Sequence, residues 1–340
     1  MDEQAERPVR ARLSTALRLL VSAALVGWIL SRADLGRVAE TLRGAEVGPL
    51  LVALALIPVG WTCSILRWRL LLRAQGGDAS IPYLMRSLLV GVFFNNLLPS
   101  TIGGDAVRVW FTERAGVRRG IALAVVFTDR FVGLLALMLF AAVAVVGSGA
   151  VLARAPGLLA WVVAGTLVMG AAAWLLFVPS RGIAAVGEAL AARLPGPLRK
   201  LAGKAAAALG AFRGRPGAPA ALAGAFAFSL LLQLAVVANA WVMGAALRLP
   251  IPLAAWFLFV PLAIFCQMLP VSINGIGVRE SVWVFFLGLY DVAPETALAY
   301  AWLDYASLLV QAVLGGFVTA FTAQRPGAAV APGAPQGLLP

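Results

Sequence analysis

Histidine is absent from these 340 residues, cysteine occurs twice, and charged residues make up only 12% of the chain. Without histidine there is no Ser-His-Asp or Cys-His nucleophile, no imidazole-bound metal and no histidine proton relay. Cys63 and Cys266 both fall in apolar segments, where a small buried hydrophobe is a commoner role than a disulfide or metal pair. The scarcity of charge excludes more. A soluble domain of this length needs a larger polar surface than 61% hydrophobic residues and a mean hydropathy of +0.92 allow.

What is present is a series of apolar segments, at about 13–31, 48–72, 83–98, 120–146, 157–178, 218–247, 253–270 and 294–322. Several reach the ~20 residues needed to cross ~30 Å of hydrocarbon. Two shorter, more polar helical stretches follow the third and seventh, at about 104–115 and 276–290. The net charge of +12 comes almost wholly from arginine and lies between the apolar runs. That placement fits the positive-inside rule and anionic lipid, so no nucleic-acid partner is expected.

Charge also sets an expected orientation. Arg7, Arg10 and Arg12 place the 1–12 tail in the cytoplasm, and the apolar stretch after it reads as a retained span, since no small-x-small cleavage site precedes Ser31-Arg32-Ala33-Asp34. Arg67, Arg69 and Arg73 mark a second cytoplasmic end, and Arg114, Arg118 and Arg119 a third. The loop 179–217 carries seven basic residues against Glu188 alone, whereas 147–156 and 288–296 are poor in basic residues and read as external. Residues 193–215 of the basic loop form a candidate interfacial helix on anionic inner-leaflet lipid, although positive-inside charge alone explains them equally well. The 323–340 tail, rich in Pro, Gly and Ala, reads as disordered.

Cytoplasmic markers at both Arg73 and Arg114–Arg119 leave a difficulty, because one full span between them would exit on the other side. A re-entrant hairpin resolves it, entering partway, breaking at Pro99 and returning along 104–115. The same argument from the opposite face applies to 253–290, with its break at Pro270. The alternative is an ordinary kinked helix.

The two breaks are related in sequence. Leu98–Arg108 reads LPSTIGGDAVR and Leu269–Arg279 reads LPVSINGIGVR, with six identities without gaps. Downstream, Ala122-Leu123-Ala124 precedes Asp129 at the spacing by which Ala297-Leu298-Ala299 precedes Asp304. The expected fold is therefore all-α and polytopic, with two inverted repeats, each of three spans plus one re-entrant helical hairpin. The repeats cover 13–146 and 157–322, joined by an external connection at 147–156. Broken segments at matching places in two inverted halves point to a substrate site.

The chemistry of the breaks suits an anion. Gly103 and Gly104 in one, and Asn274, Gly275 and Gly277 in the other, let backbone amides approach a ligand at a helix N-terminus, with Arg108 and Arg279 one turn further on. The planar guanidinium matches phosphate oxygens in pairs. Charges at membrane depth need partners, and Asp129 and Asp304 are the candidates, with Arg130 and Glu280 beside them. Structural Arg108–Asp129 and Arg279–Asp304 bridges and a substrate role are both open readings. Asp105 has no counterpart at Ile276 and reads as a helix N-terminal acid or a coupling group, while Asn95 and Asn96 line a cavity or cap freed carbonyls. No metal or other cofactor is expected.

These residues carry a resemblance. Phe93-Phe94-Asn95-Asn96-Leu97-Leu98-Pro99, Gly103-Gly104-Asp105 with Arg108, Asp129-Arg130 with Gly133-Leu134, and Leu269-Pro270 with Asn274-Gly275-Ile276-Gly277-Val278-Arg279-Glu280 resemble the lysylphosphatidylglycerol synthase transmembrane-region, or flippase-like, family. The resemblance covers roughly 13–322 and implies a lipid-translocating module rather than an enzyme. The best-known members fuse it to a soluble aminoacyl-transfer domain, which is not expected here, and other relatives are associated with polyprenyl-linked or glycolipid pathways. The expectation is a flippase for an anionic phospholipid or polyprenyl-linked lipid in a bacterial cytoplasmic membrane, with both termini cytoplasmic. A separate enzyme making the lipid is one candidate partner. Alternatives are a lipid-linked transferase, disfavoured by the scatter of Asp34, Glu40 and Glu46 among arginines, and a scaffold.

Overall fold

The computed structural model describes residues 20–28, 31, 33–97, 103–177, 196, 199, 217–268, 271, 272 and 274–323. Every regular element among them is an α-helix. After a helical stretch at 20–28 come α1 (Leu35–Arg43), α2 (Val47–Ala74), α3 (Ile81–Leu97), α4 (Gly103–Arg114), α5 (Arg119–Val146), α6 (Gly149–Arg154) and α7 (Gly157–Phe177). The second part of the chain contributes α8 (Ala218–Ala246), α9 (Leu253–Met268), α10 (Val278–Gly288) and α11 (Pro294–Ala323). The expected breaks at Pro99 and Pro270, the 193–215 stretch apart from 196 and 199, and both chain ends lie outside the described residues.

Four of these helices, α2, α5, α8 and α11, are long and apolar enough to cross a membrane. At ~1.5 Å per residue each is about 42 Å long, more than the hydrocarbon core requires. Large apolar side chains remain exposed on their outer faces, as at Val143, Leu231 and Phe317, and on α7 at Trp161 and Leu167, which is the surface lipid would cover. The chain is an all-α polytopic membrane protein.

Long-range packing follows a reciprocal scheme. Helices α2 and α8 lie antiparallel along their length: Asn239 donates to the Ala53 carbonyl (2.6 Å), Gly60 faces Leu232, Arg67 donates to Ser229 (2.9 Å) and Gly224 faces Leu70. The arm α3 packs on α11, and the arm α9 packs on α5. Within each half, α4 lies against α5 and α10 against α11.

Helices α3 and α4 form a hairpin. Gly91 backs onto the backbone of Gly104 near the tip, and the Tyr83 hydroxyl donates to the Phe111 carbonyl (2.8 Å) near the open end. Helices α9 and α10 form the second, with Phe259 stacked on Phe286 (centroids 5.0 Å apart) and Arg279 bonded to Gln267 (3.1 Å). The tips meet, since Asn274 donates to the Asn96 carbonyl (3.1 Å).

The connections gather at two ends. At one, Arg248 pairs with Glu46 (2.8 Å) and Arg154 with Asp291 (3.1 Å), so the turns before α2, after α6, after α8 and after α10 share a face. Helix α1 lies there too, capped by Asp34 on Gly36 and anchored by the fully buried Val38. At the other end Leu72, Leu84 and Ala218 share a cluster with Val117 and Ile121 packed on it. There a hydrogen bond from Arg73, with Arg69 adding to it, holds the Asp78 carboxyl well below the usual carboxylate range.

The contact of α3 with α11 depends on Gly315, because a Cβ there would overlap the Leu89 carbonyl oxygen and crowd Phe93. Gly315→Ala should therefore force the two backbones apart and destabilise the fold by about 1–3 kcal/mol. Thermal or chemical unfolding in detergent measures it, and an unchanged midpoint would contradict this packing.

Candidate functional site

The middles of the four long helices and both hairpins surround one cavity of about 480 Å³. Arg67, Arg108, Arg130 and Arg279 line it together with Asp105, Asp129 and Asp304. Trp61, Asn95, Gly104, Gln267, Trp283 and Gln311 supply further polar or aromatic wall. The sequence thus brings both hairpin arginines, and both aspartates from the helices that follow them, to one enclosure.

The first half-site is a closed ion cluster. Asp129 is 1% exposed and accepts from Arg67 through Nε (2.6 Å) and Nη2 (3.0 Å), and from Arg108 through Nη1 (2.8 Å). Arg67 also donates to the Ser229 hydroxyl, which itself donates to the Ala225 carbonyl. Gly133, one turn beyond Asp129, makes room, since a Cβ there would stand 3.1 Å from the Arg67 guanidinium. Arg108 lies over the Trp68 ring (4.2 Å), while its Nε and Nη2 are buried with no hydrogen-bond partner among the described residues.

The second half-site is looser. Arg279 is buried, at 6% exposure, but its Nε is 3.7 Å from Asp304, and its hydrogen bond goes to Gln267. Its guanidinium lies over Tyr305 (4.6 Å). Asp304 accepts a long bond from the Trp283 indole (3.4 Å), and its side chain is 32% exposed. Glu280 does not face a counter-ion. Its carboxylate accepts from the Gly277 amide (2.7 Å) and so caps α10.

The remaining expected site residues have separate places. Asp105, in the first turn of α4, is clasped by Arg130 through three contacts of 2.8–3.0 Å, a partnership between hairpin and following helix that sequence reasoning missed. Asn95 accepts from the Gly104 amide (2.6 Å) at the cavity wall, and Asn96 caps the Val92 carbonyl (2.9 Å). Gly103 opens α4. Asn274, Gly275 and Gly277 take positive φ values of 52°, 75° and 84° in the turn before α10, a backbone region that glycine and asparagine favour. They shape that turn and do not line the cavity.

Arg67 requires a correction. Grouped with Arg69 and Arg73 it reads as a flank marker, yet it is 6% exposed inside the ion cluster, whereas Arg69 and Arg73 reach out to Asp78. The signal was available, because Arg67 interrupts the apolar run 48–72 and an arginine inside such a run needs a buried partner. Among the described residues no group of three or more His, Cys, Asp or Glu side chains is gathered to hold a metal ion.

Fold and site together define a polytopic helical membrane protein with a charged cavity between two helical hairpins. The chain belongs to the lysylphosphatidylglycerol synthase TM region family, whose profile matches residues 15–315. It is similar to the UPF0104 membrane protein PH1989 of Pyrococcus horikoshii, at 24% identity over 36% of this chain and 38% of the relative. It is also similar to a UPF0104 membrane protein of Methanothermobacter thermautotrophicus, at 33% identity over 29% of this chain and 28% of that protein. The matched stretches span well under half the length of either relative.

Removing the central carboxylate would leave Arg67 and Arg108 buried without their counter-ion. Asp129→Asn should destabilise the protein by about 3–5 kcal/mol. Asp105→Asn, at the more exposed Arg130 pair, should cost no more than about 1 kcal/mol. Equal losses of unfolding stability in detergent would refute the distinction.

Proposed function

We propose that this protein is a lipid flippase that carries an anionic, phosphate-bearing phospholipid or polyprenyl-linked lipid through the membrane. One observation carries the proposal: Arg108 and Arg279, contributed by separate hairpins, face the same cavity at the mid-height of the bundle. Buried arginines are costly at membrane depth, and their retention in an enclosure has a simple rationale if a negatively charged headgroup visits it. Among the described residues, Arg108 still has two guanidinium nitrogens without hydrogen-bond partners, enough to donate to phosphate oxygens beside Asp129.

The architecture supports this reading. Helix α4, of 12 residues, is about 18 Å long and too short to span, so α3 and α4 act as a re-entrant hairpin, and α9 and α10 as its counterpart. The exchange of arms between halves, α3 on α11 and α9 on α5, is the packing that two inverted repeats about an axis in the membrane plane would produce. The salt bridges Glu46–Arg248 and Arg154–Asp291 join the turns that charge placement assigns to the external face. The headgroup would occupy the cavity while the acyl or prenyl chains stay in surrounding lipid. The flipped lipid would come from a separate enzyme or from the bulk membrane.

Translocation of a fluorescent lipid with a phosphodiester headgroup by purified protein in vesicles tests the proposal. The wild type should accelerate it over protein-free vesicles. Arg108→Ala and Arg279→Ala should each slow it by roughly 10–100-fold, the loss of one charge-assisted contact. Full activity in both variants, or none in the wild type, would overturn it.

A further inference from the structure

The two half-sites are built from matching residues but are unequally closed, and the difference falls on one carboxylate. Asp129 accepts three bonds of 2.6–3.0 Å from two arginines, Asp105 is clasped by Arg130, and Glu280 is committed to the Gly277 amide. Asp304 has only the distant Arg279 and the long Trp283 bond, and it is open to the cavity. The sequence accounts for this. The residue standing to Arg67 as Arg279 stands to Arg108 is Ala238, next to Asn239, so the second half lacks the extra guanidinium that locks Asp129.

Electrostatics gives the asymmetry a use. The cavity is lined by Arg67, Arg108, Arg130 and Arg279 against Asp105, Asp129 and Asp304, while Glu280 is turned to the Gly277 amide. A monoanionic headgroup that takes Arg279 brings a second negative charge beside Asp304 in a medium that screens poorly. Asp304 then also loses its one ionic partner among the described residues. A proton on the Asp304 carboxylate removes both problems at once.

We propose that Asp304 is the proton-binding site of the transport cycle, so that one proton travels with each monoanionic lipid headgroup. The step is an acid–base exchange: a proton from water at the open face binds Asp304, Arg279 is freed to the phosphate, and both ligands leave at the opposite face. The coupling is reciprocal, because whatever releases Arg279 from Asp304 favours both binding events. The net charge moved is zero, so the pH gradient drives transport and the membrane potential does not. Among the described residues, few ionisable groups on the elements around α11 stand near Asp304. Helix α8 has no ionisable side chain, and α9 offers only Cys266. On α3, Tyr83 and Arg86 engage Phe111, and Arg37, Glu40 and Arg43 of α1 are exposed. Helix α10 presents Arg279 and Glu280, and α11 itself adds Tyr300, which bonds the Ala240 carbonyl, and Tyr305 under Arg279.

This inference rests on the flippase reading, and the experiment separates the two. Full-length protein in phosphatidylcholine vesicles is given a trace of fluorescent phosphatidylglycerol, with the potential clamped by valinomycin and potassium or imposed without a pH difference. A pH difference of about one unit should sustain roughly a tenfold asymmetry of the probe between leaflets, and a potential alone should sustain none. Asp304→Asn should still let the probe equilibrate but lose the asymmetry, and Asp304→Glu should restore it. Translocation that follows voltage and ignores the pH difference overturns proton coupling and leaves the flippase standing, as does an Asp304→Asn protein that keeps the full asymmetry. If Asp304→Asn fails to fold, the wild-type response and the Asp304→Glu protein decide. No translocation by the wild type under any gradient overturns the flippase reading, and this inference with it.

Discussion

A carboxylate buried among membrane-depth helices is intolerable unless cations hold it, and Asp129 is held by two. Arg67 comes from α2, Arg108 from α4 and Asp129 from α5, so one ion cluster fixes a long helix, a hairpin arm and the helix after it. Ser229 adds α8 to the same knot. Lipid-facing packing offers little drive for helices to associate, because hydrocarbon tails are as apolar as leucine. Polar contacts of this kind and close backbone approaches, such as Gly315 on Leu89, therefore carry much of the specificity of the bundle.

Much of this arrangement was legible in the residues themselves. The apolar segments map closely onto the helices, and α4 and α10 occur within a few residues of the polar stretches expected at 104–115 and 276–290. Matching motifs 171 residues apart led to Arg108–Asp129 and Arg279–Asp304 as partners, and the structure brings both pairs together, one at 2.8 Å and one at 3.7 Å. Spacing could not reveal that the pairs differ in closure. That difference comes from Arg67, which a charge count assigned to a membrane edge because Arg69 and Arg73 stand beside it. Two residues along a helix turn the side chain by roughly 200°, so neighbours in a basic run can face the core and the water. Helix α1 was also hidden. Its charges read as a loop, although Asp34 before Leu35 is an N-cap signal and Val38 its apolar anchor.

The two hairpins share more than a cavity. Each arm that begins in one half lies on the last long helix of the other, and the tips touch through Asn274 and Asn96. Neither hairpin can shift without displacing a helix of the opposite half, so the two halves are mechanically bound to move as a pair.

The ends of the bundle differ from its centre in what surrounds their charges. Arg154, Asp291 and Arg248 sit in open turns, more than half exposed, within reach of dissolved counter-ions. At physiological ionic strength the screening distance is about 8 Å, and it shortens as salt rises. The knot around Asp129 has no such access. Ionic strength is thus a dial that acts on the rims of the molecule while leaving its middle untouched, and brine would slacken the clasps there long before it reached the arginines within.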